Sequence, residues 1–75
     1  MNIIPSTSEL GMLIRERRKG QGVTQLQLAA VSGVGIRFIR ELEHGKGTCQ
    51  IEKVIIVLKT LGLKFIVATH ADRIP

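Results

Sequence analysis

The fold of this chain is decided by the stretch VTQLQLAAVSGVGIRFIRELEHGK, residues 23–46. Thr24, with a glutamine three residues later, is typical of a capping box, so a short helix is predicted over residues 25–31. Gly33 then permits a left-handed turn, and a second helix is predicted over about residues 35–44. Two short helices joined by a turn that contains glycine predict a helix-turn-helix.

Two further helices are predicted around this motif. Apolar residues recur at spacings of three and four from Ser8 to about Lys19, and again from Ile51 up to Gly62. The side chains predicted to face inward from the two helices of the motif are Leu28, Ala29, Ile39 and Leu42. The predicted fold class is therefore mainly α, with a four-helix domain over residues 8–62 that follows a flexible N-terminal arm, residues 1–7.

The segment after the fourth helix is predicted to be a β-strand, because residues 63–69, LKFIVAT, are short, β-branched and aromatic. No other strand is predicted in the chain, so its backbone N–H and C=O groups need a partner elsewhere. We expect two copies to pair antiparallel across a two-fold axis as a homodimer. The residues predicted to form this contact are Leu63, Phe65, Ile66 and Val67. The alternative is an extended tail packed on the chain's own fourth helix, and residues 70–75 are predicted to be a frayed tail.

The charge balance favours an anionic partner. Eleven Lys and Arg residues against six acidic residues give a formal net charge of +5 on 75 residues. Such a field attracts nucleic acid, although a basic surface also occurs simply because it keeps a protein soluble. Hydrophobic residues make up 44% of the chain, which excludes a disordered protein and predicts one domain with an aliphatic core.

Enzymatic chemistry has little support in the sequence. Two histidines, one cysteine and scattered carboxylates form no nucleophile with a base and no metal-ligand spacing, so we expect a non-enzyme without cofactor or metal. Cys49 is the single cysteine, which excludes an intrachain disulfide and suits a reducing compartment. The N-terminus has no secretory pattern, and no apolar run reaches the roughly 18 residues of a membrane span. A cytoplasmic protein that binds no membrane is predicted.

DNA recognition fits the second helix of the motif. A helix in the major groove presents its first two turns to base edges. Arg37 and Arg40 lie there on one face, and an arginine can donate two hydrogen bonds to guanine. Ile36 is expected to cover a thymine methyl group, and Gly35 to let the backbone approach a phosphate. The alternative for each arginine is a phosphate contact without sequence content.

Further phosphate contacts are expected on both sides of that helix. Gln25, at the positive N-terminus of the first motif helix, is predicted to be exposed and to bind a phosphate through its backbone N–H and its side chain. Lys46 is predicted to touch the DNA backbone beyond the second helix. A carboxylate at Glu43 would repel DNA, so we expect it to turn inward and to pair with Arg18.

The spaced residues TQ, LA, SGV and E.GK within residues 24–46 resemble the Xre family of helix-turn-helix regulators, relatives of the lambda repressor and Cro proteins. This resemblance covers about residues 8–62. It implies that Thr24 and Gln25 open the first motif helix at the DNA and that residues 35–40 are the reading positions. The family's internal ion pair falls on the arginine and the glutamate that are paired above.

Residues 33–67 are similar to HipB-type antitoxins, short regulators that end in a strand just after the fourth helix. This resemblance implies a homodimer joined by its C-terminal strands, a double-stranded DNA operator of inverted repeats, and a complex with a HipA-like serine/threonine kinase toxin. Gly35, Ile36 and Phe38 stand where the family often has polar residues, so the operator sequence does not carry over. Two alternatives remain: a protein-interaction module that neutralises a toxin with little DNA binding, and a phage-type repressor without a toxin.

Three apolar residues are predicted on the surface, where relatives commonly carry polar ones. They are Leu26, Val31 and Ile56. Several exposed apolar side chains suggest a contact with another protein. The alternative is ordinary scattered surface hydrophobes, or extra burial in the dimer.

Overall fold

Four helices make up the part of the chain that the computed structural model describes, which is residue 4 and residues 6–47 and 50–67. The helices are α1 (Thr7–Gly20), α2 (Gln25–Ser32), α3 (Ile36–Glu43) and α4 (Ile51–Thr60). They confirm the four predicted helices, with small differences at the ends. None of these helices is long and apolar enough to cross a membrane.

Several sequence predictions lie outside the described residues. They concern Cys49, residues 1–3 and 5 of the arm, residues 68–69 of the predicted strand and the tail, residues 70–75.

The helix ends follow the capping residues in the sequence. The Ser6 hydroxyl oxygen accepts a hydrogen bond from the backbone N–H of Glu9 at 3.2 Å and starts α1. At α2 both halves of the predicted capping box are present, because Thr24 and Gln27 each accept a hydrogen bond from the other's backbone N–H. Gly33 ends α2 in the left-handed conformation, with φ 75°, and so fixes the turn into α3.

The core draws apolar side chains from all four helices and from the turn after α4. The buried residues are Ile14, Leu28, Ala29, Ile39, Leu42, Val54, Val57, Leu58 and Leu61. The four residues predicted to face inward from the motif are all in this set. Burying a large aliphatic side chain stabilises a fold by roughly 1.5–3 kcal/mol, so this cluster holds the motif on α1 and α4.

Helix α1 crosses the end of α3 at a glycine. A Cβ atom added to Gly11 would lie 2.5 Å from the carbonyl oxygen of Leu42 and 2.7 Å from that of Glu43. Nearby, the Thr7 hydroxyl donates a hydrogen bond of 2.8 Å to the carbonyl oxygen of Gly45. Gly11 therefore permits a backbone approach that sequence periodicity did not predict, and this approach fixes the C-terminal end of α3.

Residues 63–67 form neither helix nor strand in the described part of this single chain. Leu63 packs against the core, and its N–H donates to the carbonyl oxygen of Leu58 at 2.8 Å. Phe65, Ile66 and Val67 are 51%, 60% and 83% exposed, so of the four residues predicted to form the contact between two copies only Leu63 packs on the chain's own core. A strand that pairs between two copies has no partner in one chain, so the strand and the dimer stay predictions.

Candidate nucleic-acid interface

Helix α3 has one buried side and one charged, exposed side. Ile39, Leu42 and Glu43 are buried against the other helices. Arg37 and Arg40 are exposed, and the side chain of Arg37 keeps 89% of its accessible surface. The structure therefore leaves both predicted reading arginines exposed on one face of α3.

The N-terminal end of α3 departs in part from the prediction. Ile36 was placed with the arginines, but it is half-buried and packs against the core, because it lies one turn before Ile39 on the same side of the helix. Only part of its side chain is therefore available to a thymine methyl group. Gly35 is the exposed N-cap of α3, and a Cβ atom added there would meet no atom within 4 Å, so the backbone at this point is open.

An acidic residue, Glu41, lies among the cations of this surface. Its Oε2 atom is 3.2 Å from Nε of Arg37 and 3.6 Å from Nζ of Lys46. The spacing of four residues between Arg37 and Glu41 was the available sequence signal, since such pairs are neighbours on a helix. The sequence prediction did not include Glu41.

Gln25 is not the exposed phosphate ligand that was predicted. It is half-buried, and its side-chain Nε2 donates a hydrogen bond of 3.0 Å to Oε1 of Glu43. The predicted exposure of the side chain is therefore wrong, while its contact with phosphate stays a prediction. The backbone N–H at the start of α2 still belongs to a helix terminus, where N–H groups have no acceptor within the helix. Thr24 is exposed, but its hydroxyl oxygen is engaged in the cap of α2.

A buried ion pair joins α1 to α3, as the sequence predicted. Arg18 Nε lies 2.6 Å from Glu43 Oε2, and Arg18 Nη2 lies 3.0 Å from Oε1. The third arginine nitrogen, Nη1, donates to the carbonyl oxygen of Val23 at 2.8 Å. In the described residues no buried side-chain nitrogen or oxygen lacks a partner, so this polar centre is fully satisfied.

The ionisation of Glu43 reflects these contacts. Burial by itself raises the pKa of this carboxyl, but hydrogen bonds from Arg18 and Gln25 outweigh it, together with the charges of Arg18 and Arg15. The net result is a pKa below the ordinary value of 4.5. Glu43 is therefore held as a carboxylate and directed away from the exposed face of α3.

A shallow basic depression of about 530 Å³ opens at the N-terminus of α2. It is lined by Arg15, Arg18, Lys19, Gly22, Val23, Thr24 and Gln25. Arg15 and Lys19 are exposed there, and they add positive charge beside the helix end. Sequence analysis did not assign Arg15, although it lies one helical turn before Lys19 and so faces the same side.

The described residues hold no cluster of His, Cys, Asp and Glu that would ligate a metal ion. The exposed surface instead combines arginines on α3 with cations at the end of α1.

Fold and surface together define a small helical domain built on a helix-turn-helix. The chain belongs to the helix-turn-helix family, whose profile matches residues 14–66. It is 46% identical over 70 residues to an uncharacterized HTH-type transcriptional regulator, y4mF, of Sinorhizobium fredii, and the match covers 93% of this chain and 92% of that protein.

Solved structures share the fold at lower identity. A chain from the HipA-HipB-O2-O3 complex superposes with a TM-score of 0.84 at 21% identity, covering 93% of this chain and 99% of that one. A chain from the HipB-O4 20mer complex gives a TM-score of 0.83 at 21% identity, with the same coverage. These likenesses confirm the predicted four-helix architecture.

Proposed function

We propose that this protein is a sequence-specific DNA-binding repressor that acts in the cytoplasm. The observation that carries the proposal is the exposed face of α3, where Arg37 and Arg40 stand opposite the buried Ile39 and Leu42. A helix with one face anchored in a core and the other lined with arginines has the shape and charge to enter a major groove. The family match and the name of the 46% identical relative support the same class of function.

Phosphate contacts are assigned to the two sides of α3. Lys46 lies after its C-terminal end, and the basic depression at the start of α2 adds Arg15 and Lys19. Gly35, Thr24 and the backbone N–H of Gln25 complete the proposed contact surface. In this assignment the arginines of α3 read bases and the flanking cations fix the position of the helix.

We further propose that two copies pair through residues 63–69. Phe65, Ile66 and Val67 are large apolar side chains that one chain leaves exposed. Pairing them antiparallel buries these side chains and satisfies the backbone of the segment. A two-fold dimer of this kind reads an inverted repeat whose half-sites lie roughly 10 base pairs apart or a multiple of that.

The finer proposal is that the protein is a HipB-like antitoxin, which represses its own promoter and binds a HipA-like kinase toxin. It is supported by the fold shared with a chain of the HipA-HipB-O2-O3 complex. A kinase-like reading frame beside the gene supports this role, whereas an integrase or lysis cassette supports the phage-type repressor. Co-expression with the neighbouring kinase-like protein and co-purification of the two chains test the complex directly.

A protein-interaction module is the second candidate function. Leu26, Val31 and Ile56 are exposed by 64%, 75% and 44%, as the sequence predicted. Exposed apolar side chains in this number favour a contact with another protein. If this is the main function, DNA binding is weak and shows no sequence preference.

Selection from a random library of double-stranded DNA with the purified protein separates the two functions. A repressor enriches an inverted repeat, and its affinity falls steeply as salt rises, because neutralised phosphates release counterions. An interaction module enriches no sequence. A flat salt profile contradicts DNA binding of any kind.

A further inference from the structure

Glu41 accepts a hydrogen bond from one nitrogen of the Arg37 guanidinium and leaves the two terminal nitrogens available to another partner. The contact is made by Nε of Arg37, 3.2 Å from Oε2 of Glu41, and the arginine side chain is otherwise 89% exposed. A guanidinium carries its donors in a planar fork, so a bond at Nε leaves the two terminal nitrogens free as a pair. That pair has the geometry that guanine O6 and N7 accept.

The same carboxylate oxygen is shared with Lys46. Its Nζ atom is 3.6 Å from Oε2, and the side chains of Glu41 and Lys46 are 33% and 58% exposed. Lys46 therefore places a second cation beside the carboxylate oxygen that accepts from Arg37. One acidic residue and two basic ones form a chain of contacts across the exposed end of α3.

Helix stabilisation alone does not explain this arrangement. An acidic residue four positions after a basic one is the less favourable order for a helical ion pair. A negative charge on a DNA-facing helix also repels phosphates, which opposes binding in general. Glu41 therefore has a cost for DNA binding on this surface, and a gain in how Arg37 binds a base offsets that cost.

We infer that Glu41 is a positioning residue that commits Arg37 to a guanine instead of a phosphate. Its hydrogen bond with Nε orients the two terminal nitrogens towards the base edges in the groove. Its negative charge keeps the Arg37 guanidinium away from the phosphates of the DNA backbone. On random DNA the held arginine gains little, whereas at the correct guanine it makes two hydrogen bonds without first being ordered. The inference rests on the proposed function. Of the two alternatives for Arg37, a base contact or a phosphate contact, it selects the base contact.

The test compares Glu41→Gln with the unaltered protein on two DNA probes. One probe is the duplex selected by the unaltered protein, and the other is a random-sequence duplex of equal length. Glu41→Gln is expected to bind the selected duplex more weakly and the random duplex more tightly, so that their affinity ratio falls by about fivefold, the scale of an exposed ion pair. On random DNA, the slope of log affinity against log salt is expected to steepen by about 0.9 for each phosphate that the freed cations reach.

The matched control is Glu52→Gln, which makes the same charge change at an exposed position on α4. It raises affinity for both probes alike and leaves the ratio unchanged. A thermal melt of both variants shows that the fold is intact, which is expected because Glu41 is part of a surface contact. Equal ratios in Glu41→Gln and the unaltered protein overturn the inference and leave the proposed function standing.

A second measurement separates positioning from direct base contact by Glu41. In an Arg37→Ala background, Glu41→Gln is expected to change the affinity ratio no further, because the residue that it positions is gone. A selected duplex in which guanine is replaced by 7-deazaguanine, which lacks the N7 acceptor, should weaken the unaltered protein more than Glu41→Gln. If Glu41→Gln still lowers the affinity ratio between the selected and the random duplex in the Arg37→Ala background, Glu41 contacts a base itself and the inference is overturned. If the unaltered protein prefers no sequence at all, the proposed function fails and the inference fails with it.

Discussion

Arg18 and Glu43 are joined by two hydrogen bonds, of 2.6 and 3.0 Å, although they lie 25 residues apart in the chain. Their side chains are 9% and 2% exposed. Because Gln25 also donates to Glu43, one carboxylate ties α1, α2 and α3 together. This contact fixes the angle at which α3 leaves the core, and with it the direction of the two exposed arginines.

Glu43→Gln is expected to destabilise the protein strongly, because it leaves the buried Arg18 without a countercharge. Breaking a buried ion pair in this way costs about 3–5 kcal/mol. The measurement is the free energy of unfolding in urea. Glu41→Gln is the matched control, since it breaks an exposed pair on the same helix and is expected to cost less than about 1 kcal/mol. Similar small losses in both variants contradict a structural role for the buried pair.

Stability is expected to fall in acid because of the same carboxylate. The pKa of Glu43 is lowered on folding, so the unfolded chain binds the proton first as the pH drops. Its contribution is complete above the ordinary value of 4.5, and it is lost as the pH falls from there through the lower pKa of the folded state. Urea midpoints measured from neutral pH downward test this, and the drop should be smaller in Glu43→Gln. An equally steep drop in that variant assigns the acid sensitivity to other groups.

Gly11→Ala is expected to destabilise the fold, since the new methyl group meets the Leu42 carbonyl oxygen at 2.5 Å and backbone has to move. Overpacking of this kind costs about 1–3 kcal/mol. Gly20→Ala, at the other end of α1, is the control, because a Cβ atom there meets nothing within 4 Å. It is expected to be neutral or to stabilise the helix by up to about 1 kcal/mol. If thermal melts show the same change for both, α1 does not cross α3 as described.

Ending the chain after Leu63 is expected to give monomers, because it removes the exposed apolar residues and most of the predicted strand. Leu63 is retained in this variant because it packs on the core. A chain that ends after residue 69 keeps the strand and is the control, so it should stay dimeric. Light scattering gives the mass of each variant. A dimer that survives the shorter truncation places the interface elsewhere on the protein.

The helices were predictable because their signals are local. Thr24 and Gly33 mark the two ends of α2, and the apolar spacing of Ile39 and Leu42 gives the buried side of α3. The inward turn of Glu43 followed from charge, since a carboxylate on a DNA-facing surface needs a cation and Arg18 was the candidate.

The remaining features depend on tertiary contacts that no local pattern encodes. Gln25 was predicted to be exposed, but Glu43 offers a nearby acceptor oxygen and draws its amide inward. Gly11 matters only because another backbone passes within reach of it. The contact of Glu41 with Lys46, unlike its local contact with Arg37, depends on the chain turning back towards α3 after that helix ends. Strand pairing depends on a second chain, which a pattern in one chain can only suggest.

The central claim is that the exposed face of α3 reads DNA sequence. Its most direct test is the affinity of Arg37→Ala for the selected duplex and for the random duplex, measured at one salt concentration. Lys59→Ala, which removes the same charge from an exposed position on α4, is the control. Loss of a two-bond contact with guanine predicts a weakening of about 1–3 kcal/mol on the selected duplex, with affinity for random DNA no lower than in the control. An unchanged ratio between the two duplexes in Arg37→Ala contradicts the account.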